Sequence, residues 1–188
     1  MAQLEWSGET LTGRRFVGAQ FVDTDMLELT TESVVFEECE FSGVRLNASL
    51  HRDTAFLRCR FHRTSLFAAT LSGCKLTGSE FLDTVLRPLQ VDGGDWSYVR
   101  LRGADLSGVS LRGVRLAEAD LTEAVAKDCD LRECDLSHAR IHHTDFSGAD
   151  LRGARLDGVD VLSASWTRTK VDVAQSVSFA AAHGAIVA

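Results

Sequence analysis

The chain has 188 residues, 45% of them hydrophobic, with a single proline and a formal net charge of −7. That composition suits one ordered domain and excludes a disordered chain, and the acidic balance argues against binding free nucleic acid, which needs a cationic face. No basic-then-apolar leader and no apolar run near 18 residues is seen, so neither a signal peptide nor a membrane span is expected, and the cytoplasm is the expected compartment.

From Trp6 onward a large apolar residue recurs every five positions: Leu11, Phe16, Phe21, Met26 and so on to Trp166 and Val171. Of these 34 centres, 31 are Leu, Phe, Ile, Val, Met or Trp; the exceptions are Thr31, His51 and Ala126. Two residues before each centre, from Val34 to Thr169, stands a small residue, broken only at Leu89. A period of five is neither 3.6 nor two, so the chain must turn at every unit. Four units make a square coil of 20 residues, the centre and the small residue point inward, and the coils stack into a solenoid with a continuous core.

Taken along the chain, the N-terminal half stacks Phe21, Phe41, Phe61 and Phe81 on one side and Phe16, Phe36 and Phe56 on the next. Thr31 and His51, 20 apart, predict a local bulge with irregular backbone around Leu29 and Leu50. Pro88 sits at a corner and predicts a kink, because proline removes a ladder donor. Leucine then takes over as the centre, and glycines such as Gly103, Gly108 and Gly113 close the units at corners. The residue before each centre reads Glu40, Arg60, Glu80, Arg100, Asp120, Arg140, Asp160 on one side and Asp95, Arg115, Asp135, Arg155 on another. Such alternation at a spacing of 20 predicts opposite charges facing one another across coils. Residues 1–171 are thus expected to form an all-β quadrilateral β-helix of about eight coils, ~40 Å long at the ~4.8 Å strand spacing.

Residues 172–188 form the second segment. Asp172 as N-cap and Gly184 past the end frame a short helix, with Val173, Val177, Ala180 and Ala181 on one stripe. An open solenoid end needs covering, so the helix caps the last coil, pairs with a second copy, or does both.

The chemistry-bearing residues favour structure. All five cysteines (Cys39, Cys59, Cys74, Cys129, Cys134) take the small inward position, which suits buried space-filling thiols better than a disulfide or a metal site. His142 and His143 fall at adjacent outward positions as a solvated pair. No nucleophile elbow, phosphate-cradling glycine loop or HExxH stretch occurs, so no enzyme activity, cofactor or metal is expected. The acidic surplus is placed on Asp105 and Asp145 of one of the two remaining sides, Asp130 and Asp150 of the other, and corners including Glu118, with Arg112, Arg132 and Arg152 offsetting part of it. These residues fit either a solvated surface or a partner surface.

The repeat, with its unit Ala149-Asp150-Leu151-Arg152-Gly153, resembles the pentapeptide-repeat proteins over essentially the whole chain. Glu38-Cys39-Glu40-Phe41-Ser42-Gly43-Val44, the break at Leu86-Arg87-Pro88-Leu89, and the tail from Val171-Asp172-Val173-Ala174-Gln175 to Phe179-Ala180-Ala181-Ala182-His183-Gly184 resemble the fluoroquinolone-resistance group of mycobacteria. The resemblance implies a right-handed β-helix that dimerises through its C-terminal helix, here Val173, Val177, Phe179, Ala180 and Ala181. It also implies a DNA-like acidic rod that binds DNA gyrase where DNA would lie, with Asp105, Asp130, Asp145, Asp150 and Glu118 as the partner surface and the acidic C-terminal halves at the centre of a ~80 Å dimer. The related plasmid-borne Qnr group carries projecting loops, for which the unbroken phase here leaves no place. A general interaction solenoid with another partner, or a self-resistance factor against a different gyrase-targeting antibiotic, remain the alternatives.

Overall fold

In the computed structural model, which describes residues 6–186, the chain is a parallel β-solenoid closed by one C-terminal helix. One side stacks Thr10–Thr12, Thr30–Glu32, Leu50–Arg52, Thr70–Ser72 and Gln90–Asp92 as a five-stranded parallel sheet. The next carries Arg15–Val17, Val35–Glu37 and Ala55–Leu57, and the third carries Gln20–Val22, Glu40–Ser42, Arg60–His62 and Glu80–Leu82. Every pairing is offset by 20 residues, as in Phe41↔Phe61 and Thr31↔His51. The fourth side is held by isolated bridges, Asp25↔Arg45↔Ser65↔Val85 and then Asp105↔Val125↔Asp145↔Ser165.

The regular strands end at Asp92, after about four turns, although about eight coils were expected. Beyond them single bridges keep the same register, through Gln90↔Ser110↔Asp130↔Asp150↔Lys170. In the C-terminal half aspartate often precedes the centre, and its Oδ1 accepts the N–H two residues on, as from Ser107 to Asp105, Arg132 to Asp130 and Ser147 to Asp145. Each such Asx turn supports the bend within its unit, and units with Arg100, Ser110 or Arg115 at that position also pair through a single residue.

The centres fill the interior as expected. Phe61 is 1% exposed and lies between the stacked rings of Phe41 and Phe81, at centroid distances of 4.7 and 4.6 Å. The second column meets the first edge-on, with Phe36 and Phe41 5.5 Å apart. Thr31 and His51 are not a bulge. Both are buried strand centres in normal register, and they stay inside because their polar atoms bond one another.

At Pro88 the interruption is confined to the fourth side. Thr70↔Gln90 and Gln90↔Ser110 pair across it without loss of register, and Ala68 N–H donates to the Pro88 carbonyl at 2.7 Å. Gly94 follows within the next unit, where an added Cβ would lie 2.2 Å from the Cys74 carbonyl oxygen. Only glycine allows that approach.

Corners adopt positive φ whether or not they hold glycine. Among the described residues eighteen non-glycine positions do so, including Glu28 (55°) and Glu118 (57°), and all but Asp83 and Arg168 donate their N–H groups to the following coil. The inter-coil ladder imposes a conformation that an L side chain adopts at some cost.

Candidate interaction surface

The outer faces are built from the residues flanking each centre. On one side Glu40, Arg60, Glu80, Arg100, Asp120 and Arg140 stack in register, with Glu80 3.9 Å from Arg60 and 3.8 Å from Arg100. On another Arg115 stands between Asp95 and Asp135 at 4.0 and 3.8 Å, and Arg155 follows at 3.8 Å from Asp135. These exposed contacts are long, so each contributes little, and they leave both sides nearly neutral. The first ladder stops before Asp160. That residue instead caps a short 3₁₀ turn, Val161–Ser163, by accepting from Leu162 N–H.

The carboxylates expected to meet a partner are placed outward, and all of them are engaged within the chain. Asp130 holds Arg132 through Nε at 2.8 Å and Nη2 at 2.7 Å, and Asp150 holds Arg152 the same way at 2.9 and 2.6 Å. The bonds from Arg152 hold Asp150 down to a pKa of about 2, and those from Arg132 lower Asp130. Asp145 is lowered by the Ser147 hydroxyl and N–H and pairs with Lys127 at 3.2 Å. Asp105 works against partial burial, yet is lowered by Ser107 and by Arg87, 2.5 Å away. Glu118 accepts from the Tyr98 hydroxyl at 2.7 Å.

The acidic surplus is not concentrated in the C-terminal half, contrary to expectation. Residues 1–94 carry thirteen acidic and nine basic side chains; residues 95–188 carry fourteen and eleven. Among the described residues the carboxylates outside any ion pair with Lys, Arg or His include Glu28, Glu32, Glu40 and Asp53 in the first half and Glu118, Asp128 and Asp160 in the second. Sequence spacing of 20 was read across coils, whereas Asp130–Arg132 and Asp150–Arg152 pair within one unit, a spacing of two that any five-residue unit contains.

At the C-terminal end the helix spans Val173–Ala182. Asp172 caps it and exchanges bonds with Gln175 in a capping box, while Gly184, at φ 82°, closes the far end as Gly184 and Ala185 N–H groups donate to Ala181 and Ala180 carbonyls. Gln175 is the functional residue that sequence reasoning missed. Its buried Nε2 donates to the Leu151 and Ala154 carbonyls at 2.7 and 2.8 Å, fastening the helix over the last coil. The Asp172-x-x-Gln175 spacing signals the capping box but not those carbonyls, which lie more than 20 residues away.

The residues expected at a dimer seam divide. Phe179 and Ala180 are half-buried, Phe179 standing edge-on to Trp166 at 4.8 Å. Val173, Val177 and Ala181 face outward, Val173 at 82% exposure, on a helix that packs against the Val161–Ser163 turn.

The five cysteines are buried, and desolvation pushes the thiols of Cys59, Cys129 and Cys134 up to about 12. His142 and His143 rings lie 3.8 Å apart on the surface. Among the described residues no three His, Cys, Asp or Glu side chains are grouped to hold a metal ion, and no helix is long and apolar enough to cross a membrane.

Comparison with known proteins agrees with this architecture. The family model described as pentapeptide repeats matches eight copies, over residues 39–78, 100–137 and 129–161. The pentapeptide repeat protein MfpA of Mycobacterium tuberculosis is 45% identical over 91 residues, 48% of this chain and 50% of that protein. MfpA of Mycolicibacterium smegmatis is 46% identical over 52 residues, 28% of this chain and 27% of its own. The match thus spans half or less of the length of these curated relatives. Among solved structures, full-length QnrB1, a plasmid-mediated fluoroquinolone resistance protein, superposes with a TM-score of 0.61 at 19% identity, covering 94% of this chain and 100% of its own. A trypsin-treated QnrB1 variant gives 0.69 at 17% identity, covering 95% and 97%. At such identities the likeness is one of fold.

Proposed function

Because this chain belongs to the pentapeptide-repeat family, we propose that it works as a binding protein rather than an enzyme: a cytoplasmic, homodimeric, DNA-shaped rod that occupies DNA gyrase and gives resistance to fluoroquinolone-type poisons. The observation that carries this reading is the single unbroken 20-residue register from Thr10 to Lys170, which makes a straight-sided rod with charged outer faces. Eight such intervals at ~4.8 Å give a rod ~40 Å long. The identity to MfpA and the fold shared with QnrB1 support the choice of partner.

B-DNA presents one charge per ~1.7 Å of axis, far denser than this protein, so the likeness is one of shape with sparse charge. The paired state of Asp130 and Asp150 refines the picture. A basic partner residue must share the carboxylate with its resident arginine, so electrostatics steer the encounter more than they fix the complex.

The second reading, an interaction solenoid for another protein or a self-resistance factor against a different gyrase-targeting antibiotic, is favoured by the near-even charge of the two halves. Purified gyrase separates them. The wild-type rod is expected to bind gyrase and inhibit DNA supercoiling, more weakly as salt rises. A variant with Asp105, Asp130, Asp145 and Asp150 all changed to Asn keeps the Oδ1 acceptors of the Asx turns while removing the charge. It is expected to need about tenfold more protein for the same inhibition. Absence of wild-type binding moves the partner elsewhere; equal potency of the variant moves the contact off these carboxylates.

A further inference from the structure

One part of the outer surface departs from the charged pattern, on the side whose centres are Leu46, Leu66 and Leu86. Between the ion pairs Asp25–Arg45 and Arg87–Asp105 its outward residues Asn47, Ala48, Ser65, Phe67, Ala68 and Val85 carry no charge. Phe67 and Val85 are each 49% exposed, and around the adjoining corner Leu50 is 39% exposed. They form one block. Ala48 N–H donates to the Phe67 carbonyl at 2.9 Å, Ser65 bridges Val85, and Leu50 pairs with Thr70 just past Ala68. None is needed for the core, which Leu46, Leu66 and Leu86 already fill on this side. Large apolar groups held outward carry an aggregation cost, and a contiguous patch of them marks a contact surface.

The rim identifies the occupant's chemistry. Two cations bordering the block are neutralised, Arg45 by Asp25 at 2.6 Å and Arg87 by Asp105 at 2.5 Å, while among the described residues Arg52 and Arg63 stand outside any ion pair against three such carboxylates. Glu28, whose N–H donates to Asn47, stands at the N-terminal end of the Ala48–Ala68 corner column, and Glu32 and Asp53 flank Leu50 beside Arg52. The complement of an apolar centre with an acidic rim is an apolar side chain among basic ones.

We propose that this block is a second contact of the rod with its protein partner, seating an aliphatic or aromatic side chain flanked by lysine or arginine. The inference rests on the gyrase reading and extends it. Ser65 lies two coils, ~10 Å, from Asp105 on the same side, so a single partner surface spans both contacts.

The test measures binding of the full-length chain to purified gyrase at two salt concentrations. Phe67→Asp is expected to weaken binding about tenfold at both, the usual cost of losing a central aromatic contact, while Phe67→Leu stays within about threefold of wild type. Glu28→Lys with Glu32→Lys is expected to weaken binding mainly at low salt. Unchanged thermal midpoints verify that the rod is intact. Binding by Phe67→Asp equal to wild type overturns this contact while leaving gyrase as the partner. Loss of wild-type binding itself overturns the gyrase reading and this contact with it. A drop in oligomer mass on Phe67→Asp, read by light scattering, overturns it in favour of a second copy of the chain.

Discussion

His51 is a polar ring in the centre of an aromatic core, and its bonds define its protonation. Ser49 donates its proton to the Leu46 carbonyl at 2.7 Å, so it must accept from His51 Nε2, 2.9 Å away. Nδ1 is then the lone pair that accepts the Thr31 hydroxyl at 2.7 Å, and Thr31 is in turn 2.8 Å from Thr54. Burial lowers the His51 pKa from 6.5 to about 4. Between those values the unfolded chain binds a proton that the folded chain refuses. The stabilisation is therefore complete above pH 6.5 and is lost as pH falls toward 4, about 3 kcal/mol in all. The Asp150 contribution is lost at lower pH, as the carboxylate protonates on the way down toward about 2. Thermal melts are expected to fall from pH 7 to pH 5 in the wild type. In His51→Leu, which leaves Thr31 bonded to Thr54 and Ser49 bonded to Leu46, the fall is expected to shrink; an undiminished fall places the acid lability elsewhere. Phe61→Ala, cut from the middle of the ring stack, is expected to cost about 3–5 kcal/mol by denaturant unfolding.

Among the elements the C-terminal helix shows most clearly how a short segment is kept folded. Ten residues are marginal as an isolated helix. Its stability comes from the capping box at Asp172, the Phe179–Trp166 contact, and the two carbonyls that Gln175 satisfies at the open end of the solenoid. Gln175→Leu keeps the bulk but orphans the Ala154 carbonyl and leaves the Leu151 carbonyl with only the Ala154 N–H, at about 1–3 kcal/mol. The expected result is a lower melting midpoint and a weakened near-ultraviolet signal from Trp166 as the helix lifts. Asp172→Ala, which loses the cap and the bond to Gly153 N–H, is expected to cost about 1 kcal/mol.

For the whole molecule, the charge pattern and the two ends set what the rod can do. Ion pairs stacked along its sides keep the fields local, so the net charge of −7 is spread thinly from end to end. The outward face of the helix, with Val173, Val177 and Ala181, is the apolar surface on which we place the dimer seam. Val173→Glu with Val177→Glu alters two exposed side chains and is expected to yield monomers by light scattering with an unchanged far-ultraviolet spectrum. A variant that keeps the wild-type mass shifts the seam to another surface.

The repeat by itself determined the solenoid, the 20-residue register, the inward cysteines and the capped helix. Each follows from which residues recur at a fixed spacing, and burial of one large side chain per unit leaves the chain one way to stack. Only the tertiary structure decided that Thr31 and His51 stay inside, because the bond between them crosses coils and is completed by the Ser49 and Thr54 hydroxyls, which the period marks only as small inward residues. It likewise decided that strands give way to single bridges after Asp92, since a unit keeps the same inward period whether it pairs three residues or one. The candidate surface was least legible. Whether an aspartate is free or held depends on an arginine rotamer, and Asp130 and Asp150 turn to the arginine two residues on because a bidentate bond within the unit outweighs a looser one across coils.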